Sequence, residues 1–495
     1  MKLLSHEQIN ELDVDNARST VHTYAGLIKS LADQYVSLEI KYKKLAIENK
    51  INPSELFIIQ EQLATMKRAL FGKSSEKSHM GGTQIELQTN EKKKREIFGR
   101  KAQPELAVIE QIHELAIGDQ KCDVCSSEMQ EFKNQYEESE EIDVVPAQYI
   151  KRLHKRKKYR CKNGCQIKTA AGPIKLKEGA RYSVEFAVEV GINKYEHHLP
   201  LERQVRMMKQ SGLNTDSQTL YKQADTVMWY LKKPLYEKIC EKIRAENVVC
   251  ADESPWGNLG ANAKKRFYLW GLESKQAVYF KIADTRSGKV GAELIDDLSG
   301  VLMCDGYAGY NQLKSDKLQL ANCFAHVRRK FKESEFSYPV ESKEILDLIG
   351  LLYKIEDELK GKNLAEIKTK RSIDSKQIVA TLYDRLWKLN QHLPRSSIGK
   401  AATYTLKLWR GLTVFLENPE VPLDNNAMER TIRGPVIGRK NHYGSKNLKT
   451  AEMAAIWYTI IETCKMNNVD SRKYIKEALS NILNKKPIKM PWEMS

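Results

Sequence analysis

Asp252 and Asp305 each follow a run of apolar residues, "VVCA" and "VLMC" respectively. An acid beside such a run is costly unless it is paired or holds a cation, and a carboxylate just past a strand end is rigidly aimed. Taken singly, each could equally be a strand-end cap or half of a salt bridge. A third acid, Glu429, lies in "VPLDNNAMERTIRGPVIGRKN", where it is closely followed by Arg430, Arg433, Arg439, Lys440, His442 and Lys446. A helix capped by Asp424 or Asn425 and ending near Gly434–Pro435 would put Glu429 one turn in. Asn425, Glu429 and Arg433 would then share a face. The plainer alternative is a surface pair between Glu429 and Arg433, worth ~0.3–0.5 kcal/mol.

If the three acids converge, oxygen-only ligands suit Mg²⁺ or Mn²⁺. Two such ions ~3.5–4 Å apart flank a phosphodiester and assist its attacking and leaving oxygens. Metal-activated water is then a sufficient nucleophile, so no Ser or Tyr nucleophile is needed. Arg430, Arg433, Arg439 and Lys440 would grip phosphates beside the acids.

Four cysteines suggest a second metal. Cys122 and Cys125 stand in "CDVC", and Cys161 and Cys165 in "CKNGC". Two close thiolate pairs match a structural Zn²⁺ ribbon, although the second pair has one residue more than the usual spacing. Unrelated buried or surface cysteines are the alternative. Between the pairs runs "KRLHKRKKYR", read as a basic strand. Lys151, Arg152, Lys155, Arg156, Lys157 and Lys158 are its candidate phosphate contacts, against the alternative of a solvated strand. The net charge of +17, from 81 Lys and Arg against 64 Asp and Glu, favours a polyanionic partner through counterion release.

The elements that must position these groups read as a multidomain α+β protein. Residues 1–78 are an N-terminal helical region whose heptads over 18–50 fit a coiled coil, with self-association as the corollary, or else a helical hairpin. A basic linker covers 79–113 and the zinc ribbon 114–178. Residues 179–245 are helical, with a break at Gly212 and a second helix from near Ser217, a helix-turn-helix in outline. Residues 246–335 give three strands in a row and then strand–helix alternation, as expected of a ribonuclease-H-like α/β core. A helical insertion follows over 336–416, the second part of the core with Glu429 over 417–450, and two helices joined at Asn467–Asn468 over 451–495. The start "MKLLSHEQINELDVDN" lacks the apolar core of a signal peptide, and no stretch reaches the ~20 apolar residues of a membrane span. A soluble, cytoplasmic chain is expected.

Taken together, "DESP", "CDGYAGYN" and "DNNAMER" resemble the transposase family of insertion sequence 66, within the DDE transposases. "FGKSSEK", the paired cysteines, "LPLERQ", "CFAHVRRKF", "GRKN" and "IETCKMNNVD" agree with that family in order along nearly the whole chain. Its first motif usually reads Asp-Glu-Thr, where this chain has Asp-Glu-Ser. The resemblance implies Asp252, Asp305 and Glu429 as the metal-binding catalytic triad. It also implies double-stranded DNA partners (terminal inverted repeats and target), with accessory transposition proteins encoded alongside. Cys323 and His326 match a C-x-x-H of related transposases and are expected to be structural, near the active site. The rival readings are a DNA-binding regulator on an inactive core and a nuclease without strand transfer.

Overall fold

The computed structural model describes residues 148–495, with short interruptions, and scattered positions before residue 148. The chain divides into two units, Met1–Gly72 with Gln148–Ser495, and Lys73–Ala147. Nearly all described residues belong to the first. The heptad residues and the pair Cys122 and Cys125 lie outside the described residues.

A short antiparallel hairpin, β1 (Lys158–Arg160) and β2 (Ile167–Thr169), comes first among the strands of the described residues. The basic run is expected as a strand throughout, yet only its last three residues pair; 151–157 is irregular and exposed. Like charges packed side by side repel, and this run has no apolar alternation with which to bury one face.

Four helical segments come next: α1 (Val184–Tyr195), α2 (Leu201–Gln210), α3 (Ser217–Leu231) and, after a π-helical turn, α4 (Lys238–Arg244). Ser183 caps α1 and Asp216 caps α3, each side chain accepting a backbone N–H. Gly212 takes φ +82° between α2 and α3, a left-handed conformation that favours glycine. The helix–break–helix outline is therefore present as read. The second helix is largely built into the core, however, burying Leu220, Ala224, Val227, Met228 and Leu231.

The central sheet has five strands: β3 (Val248–Trp256), β4 (Phe267–Glu273), β5 (Val278–Ala283), β6 (Gly300–Cys304) and β7 (Leu318–Asn322). Their spatial order is β5-β4-β3-β6-β7. The first three form an antiparallel meander, and β6 and β7 join in parallel after α5 (Gly288–Leu294). Beyond the sheet run α6 (Phe324–Ser334), α7 (Pro339–Glu358), α8 (Leu364–Lys370), α9 (Lys376–His392) and α10 (Ser397–Leu412). The chain then returns to the sheet with α11 (Asn426–His442), α12 (Leu448–Met466) and α13 (Ser471–Leu483). The architecture is mixed α+β with a mixed sheet.

Helix α12 shows why the C-terminus belongs to the sheet. It is buried almost all round, from Ala451 to Cys464. Its Thr459 and Thr463 hydroxyls accept the Phe280 and Val278 amides of edge strand β5 at 2.9 and 3.1 Å. Unpaired edge N–H groups are thus satisfied by a helix instead of a further strand. Among the described residues, no helix is long and apolar enough to cross a membrane.

Candidate functional site

Asp252 is expected just past the end of its strand, but it lies within β3. The parallel pairing with β6 stops at Cys250↔Met303, whereas the antiparallel pairing with β4 continues through Asp252↔Gly271 to Trp256↔Phe267. Asp252 therefore sits where β3 has lost one neighbour and kept the other. Asp305, just beyond β6, lies two residues past the last parallel pair, as Asp252 does, where that pairing has already ended.

Asp305 is held at both ends. Its carboxylate accepts the Tyr307 N–H at 2.9 Å, and its carbonyl accepts the Asn322 side-chain amide of β7 at 3.2 Å. Asn322 is buried and so pins the turn to the sheet.

Helix α11 delivers Glu429. Asn425, 1% exposed, donates its side-chain amide to the Ala251 carbonyl of β3 at 2.8 Å. Asp424 opens the helix by accepting the Asn426 N–H at 2.9 Å. At the far end, Ser445 donates its N–H to Gly257 O at 2.9 Å and accepts the Trp256 indole N–H at 3.0 Å. The helix is thus tied to β3 at both ends and runs the same way along it. Four residues of helix advance ~6 Å, bringing Glu429 from the level of Ala251 to that of Asp252 and Glu253. Gly271, the pairing partner of Asp252, permits this approach: a Cβ there would stand 2.3 Å from the Met428 methyl.

The expected helix end at Gly434–Pro435 is not observed, since α11 continues to His442 with Pro435 buried inside it. Proline removes one intrahelical bond, but the ties to β3 at both ends outweigh that loss.

The electrostatics follow from this packing. Burial, the charge of Glu253, and then those of Asp305 and Glu429 push the Asp252 carboxyl up to about 7, partly offset by the Glu253 N–H. The charges of Asp305 and Glu429 therefore both reach Asp252. Glu429 Oε1 is buried and without a hydrogen-bond partner among the described residues. A buried carboxylate oxygen left without a partner is the kind of donor a hard divalent cation takes; among the described residues, however, the ligand atoms that gather within 4.8 Å of one another are those of Cys323, His326 and Glu429 and not those of the three acids.

Cys323 and His326 also reach Glu429. The ligand atoms of the three residues lie within 4.8 Å of one another, with His326 Nδ1 3.8 Å from Glu429 Oε1. A mixed S/N/O set suits a transition metal better than Mg²⁺. Burial pushes the Cys323 thiol up to about 11, however, and its sulfur accepts the Asn425 N–H at 3.2 Å. Cys323 therefore packs as a neutral thiol that helps to seat α11.

Of the basic residues on α11, Arg430, Arg433 and Lys440 are exposed. Arg430 acts on the buried Glu273 of β4. Arg439 reaches Ser254 Oγ at 3.4 Å, two residues along β3 and hence on the face of Asp252. Burial and the like charge of Arg266 hold its guanidinium below the usual arginine range. A desolvated cation lacking a carboxylate partner among the described residues is suited to an anion from outside. In the run leading into the hairpin, Lys151, Arg152, Lys155, Arg156, Lys157 and Lys158 are all exposed, with Arg156 Nε donating to Ala170 O at 2.5 Å. Cys161 and Cys165 lie in the connection between β1 and β2, closed by Cys161 N–H to Gln166 O at 2.9 Å.

Several residues at the site carried no signal in the sequence. Glu253 looks like any acid after Asp252, yet its side chain is 2% exposed. Arg371, 3% exposed, donates to Glu356 and to the carbonyls of Phe415 and Val421, fixing the chain that leads to Asp424.

Comparison with known proteins completes the description. A family model described as "Transposase IS66 family" matches residues 179–453. Two uncharacterized proteins of Sinorhizobium fredii, y4jD and y4qI, are 28% and 29% identical to this chain. Each match covers 72% of the chain, with 74% of the first relative and 70% of the second.

Proposed function

This chain belongs to the IS66 transposase family, and from that premise we propose that it binds the terminal repeats of an insertion sequence, cleaves at the element's ends by metal-dependent hydrolysis and joins the freed 3′-OH ends to target DNA. The observation that carries the reading is that the charges of Asp305, from the turn after β6, and of Glu429, from α11, both act on the buried Asp252 carboxyl of β3, with a Glu429 oxygen left unpartnered beside them. In this reading the three are the catalytic triad and hold a pair of Mg²⁺ or Mn²⁺ ions. The order β5-β4-β3-β6-β7 supports a ribonuclease-H-like core, with α7 to α10 as a helical insertion between the second and third acids.

When bound, the ions stabilise charge on the attacking and leaving oxygens of an in-line displacement. The chain's own part is to orient and to grip. β3 and the Asn322-pinned turn fix two carboxylates, and the two-ended attachment of α11 fixes the third. Arg430, Arg433, Arg439 and Lys440 hold phosphates, Arg439 from the face that Asp252 occupies. Lys151, Arg152, Lys155, Arg156, Lys157 and Lys158 add sequence-independent backbone contacts. The α2–α3 pair contributes to reading the ends, chiefly through the exposed Arg203, Arg206 and Lys209 of α2. Cys122, Cys125, Cys161 and Cys165 hold a structural Zn²⁺, and the heptad segment brings copies of the chain together. The cytoplasm is the site of action.

Glu429→Gln tests the reading. It keeps the shape of the side chain and removes its charge, so the variant should retain binding to donor-end DNA and lose cleavage by about a hundredfold or more. Both are read in one gel-shift and nicking assay on a plasmid carrying the ends. Normal cutting by the variant would remove Glu429 from the triad. Wild-type nicking without any joined product would favour the nuclease-only alternative.

A further inference from the structure

Beside the triad lies a polar cluster to which no chemistry has been assigned. Successive strand residues point to opposite faces, so Glu253 is directed away from Asp252. Its buried carboxylate is nonetheless fully engaged. Oε1 accepts from Arg286 Nε at 2.9 Å and from Arg286 Nη2 at 2.5 Å, and Oε2 accepts from the Tyr310 hydroxyl at 2.5 Å. Arg286 comes from the loop after β5, and its guanidinium lies 3.8 Å over the Tyr307 ring. Tyr307 donates its hydroxyl to Arg286 O at 3.1 Å and its N–H to the Asp305 carboxylate at 2.9 Å. Tyr310 packs edge-on to both Trp270 and Tyr307.

Three chain segments are therefore strapped together: the stretch of β3 bearing Asp252, the loop after β5, and the turn bearing Asp305. Parallel pairing between β3 and β6 has already ended at this level, so no backbone ladder sets the separation of the two acids. The side-chain clasp replaces it. A buried carboxylate with three donors is held in one place, because each lost bond would leave a charge unsatisfied.

We propose that Glu253, Arg286 and Tyr310 form a positioning clasp that sets the spacing of Asp252 and Asp305 for divalent-cation binding, without themselves touching metal or DNA. The inference rests on the role given above to those two acids. Groups that orient metal ligands typically change affinity by about 10–100-fold when removed.

The test uses the full-length protein and Mn²⁺ as the probe, with bound ion counted by electron paramagnetic resonance. Tyr310→Phe keeps the ring against Trp270 and Tyr307 and deletes one donor to Glu253. Arg286→Lys keeps the charge and deletes the forked bond. Each should weaken Mn²⁺ binding by about tenfold, with unchanged donor-end DNA affinity and a melting temperature near that of the wild type. Asp252→Asn is the control for the underlying role and should abolish one bound ion. Should Asp252→Asn bind Mn²⁺ like the wild type, the metal role of Asp252 falls. Should that control lose Mn²⁺ while Tyr310→Phe and Arg286→Lys both bind it normally, the clasp alone falls. Weakened Mn²⁺ binding that only tracks a matching fall in melting temperature would reduce the cluster to ordinary packing and overturn the proposal.

Discussion

Replacing Asp252 with Asn should make the metal-free protein more stable, by an amount that grows with pH. The carboxyl is pushed from its ordinary 3.8 up to about 7, first by burial and then by Glu253, Asp305 and Glu429. Between those two values the folded state binds a proton that the unfolded chain has released. Stability therefore falls as pH rises through that window and levels off above about 7. From about pH 5 to pH 8, two units of the window are crossed at ~1.4 kcal/mol each, a ceiling of ~3 kcal/mol. Relaxation and water entry around a carboxylate cluster would leave roughly half of this, ~1–2 kcal/mol. Asn fills the same space and can still accept the Glu253 N–H, but it does not titrate. Melting curves in EDTA at both pH values, for wild type and Asp252→Asn, read the difference directly. The variant's advantage should widen by about 1–3 °C on going to the higher pH. Saturating Mg²⁺ should then narrow the gap by stabilising the wild type more than the variant. An advantage that stays the same at both pH values, or a variant less stable at pH 8, would refute the argument that Asp252 is a strained acid.

Arg371→Ala should destabilise the protein by about 3–5 kcal/mol, because it leaves Glu356 and the carbonyls of Phe415 and Val421 without their buried donor. Urea unfolding that moves by less than about 1 kcal/mol would show that Arg371 does not hold the approach to Asp424. Purified protein should carry about one Zn²⁺ per chain by elemental analysis, and the Cys161→Ser/Cys165→Ser double variant should lose it. Retention of zinc by the double variant would end the ribbon assignment.

The order of elements was legible in the sequence because it is local chemistry. Apolar runs such as "VLMC" and "AVYFKIA" favour buried strands, and "AEMAAIWYTIIETCKM", too long for a strand and free of Gly and Pro, marks a helix, so β3 to β7 and α12 could be read before any packing was known. Asp252, Asp305 and Glu429 could be named as well, but cost alone left each a strand-end cap or half of an ion pair, and it was the resemblance of "DESP", "CDGYAGYN" and "DNNAMER" to a transposase family that joined them. Three things were decided only in the folded chain. The length of α11 was one: Pro435 signalled a stop, but attachment to β3 at Ala251 and at Gly257 carries the helix through it. Another was the place of Asp252 inside β3, because strand ends are set by which neighbour stops pairing, and β6 stops before β4 does. The last was the burial of Glu253 and Arg371, whose partners lie 33 and 15 or more residues away. A charged side chain is surface or interior according to what distant segments bring to it, and no local pattern carries that information.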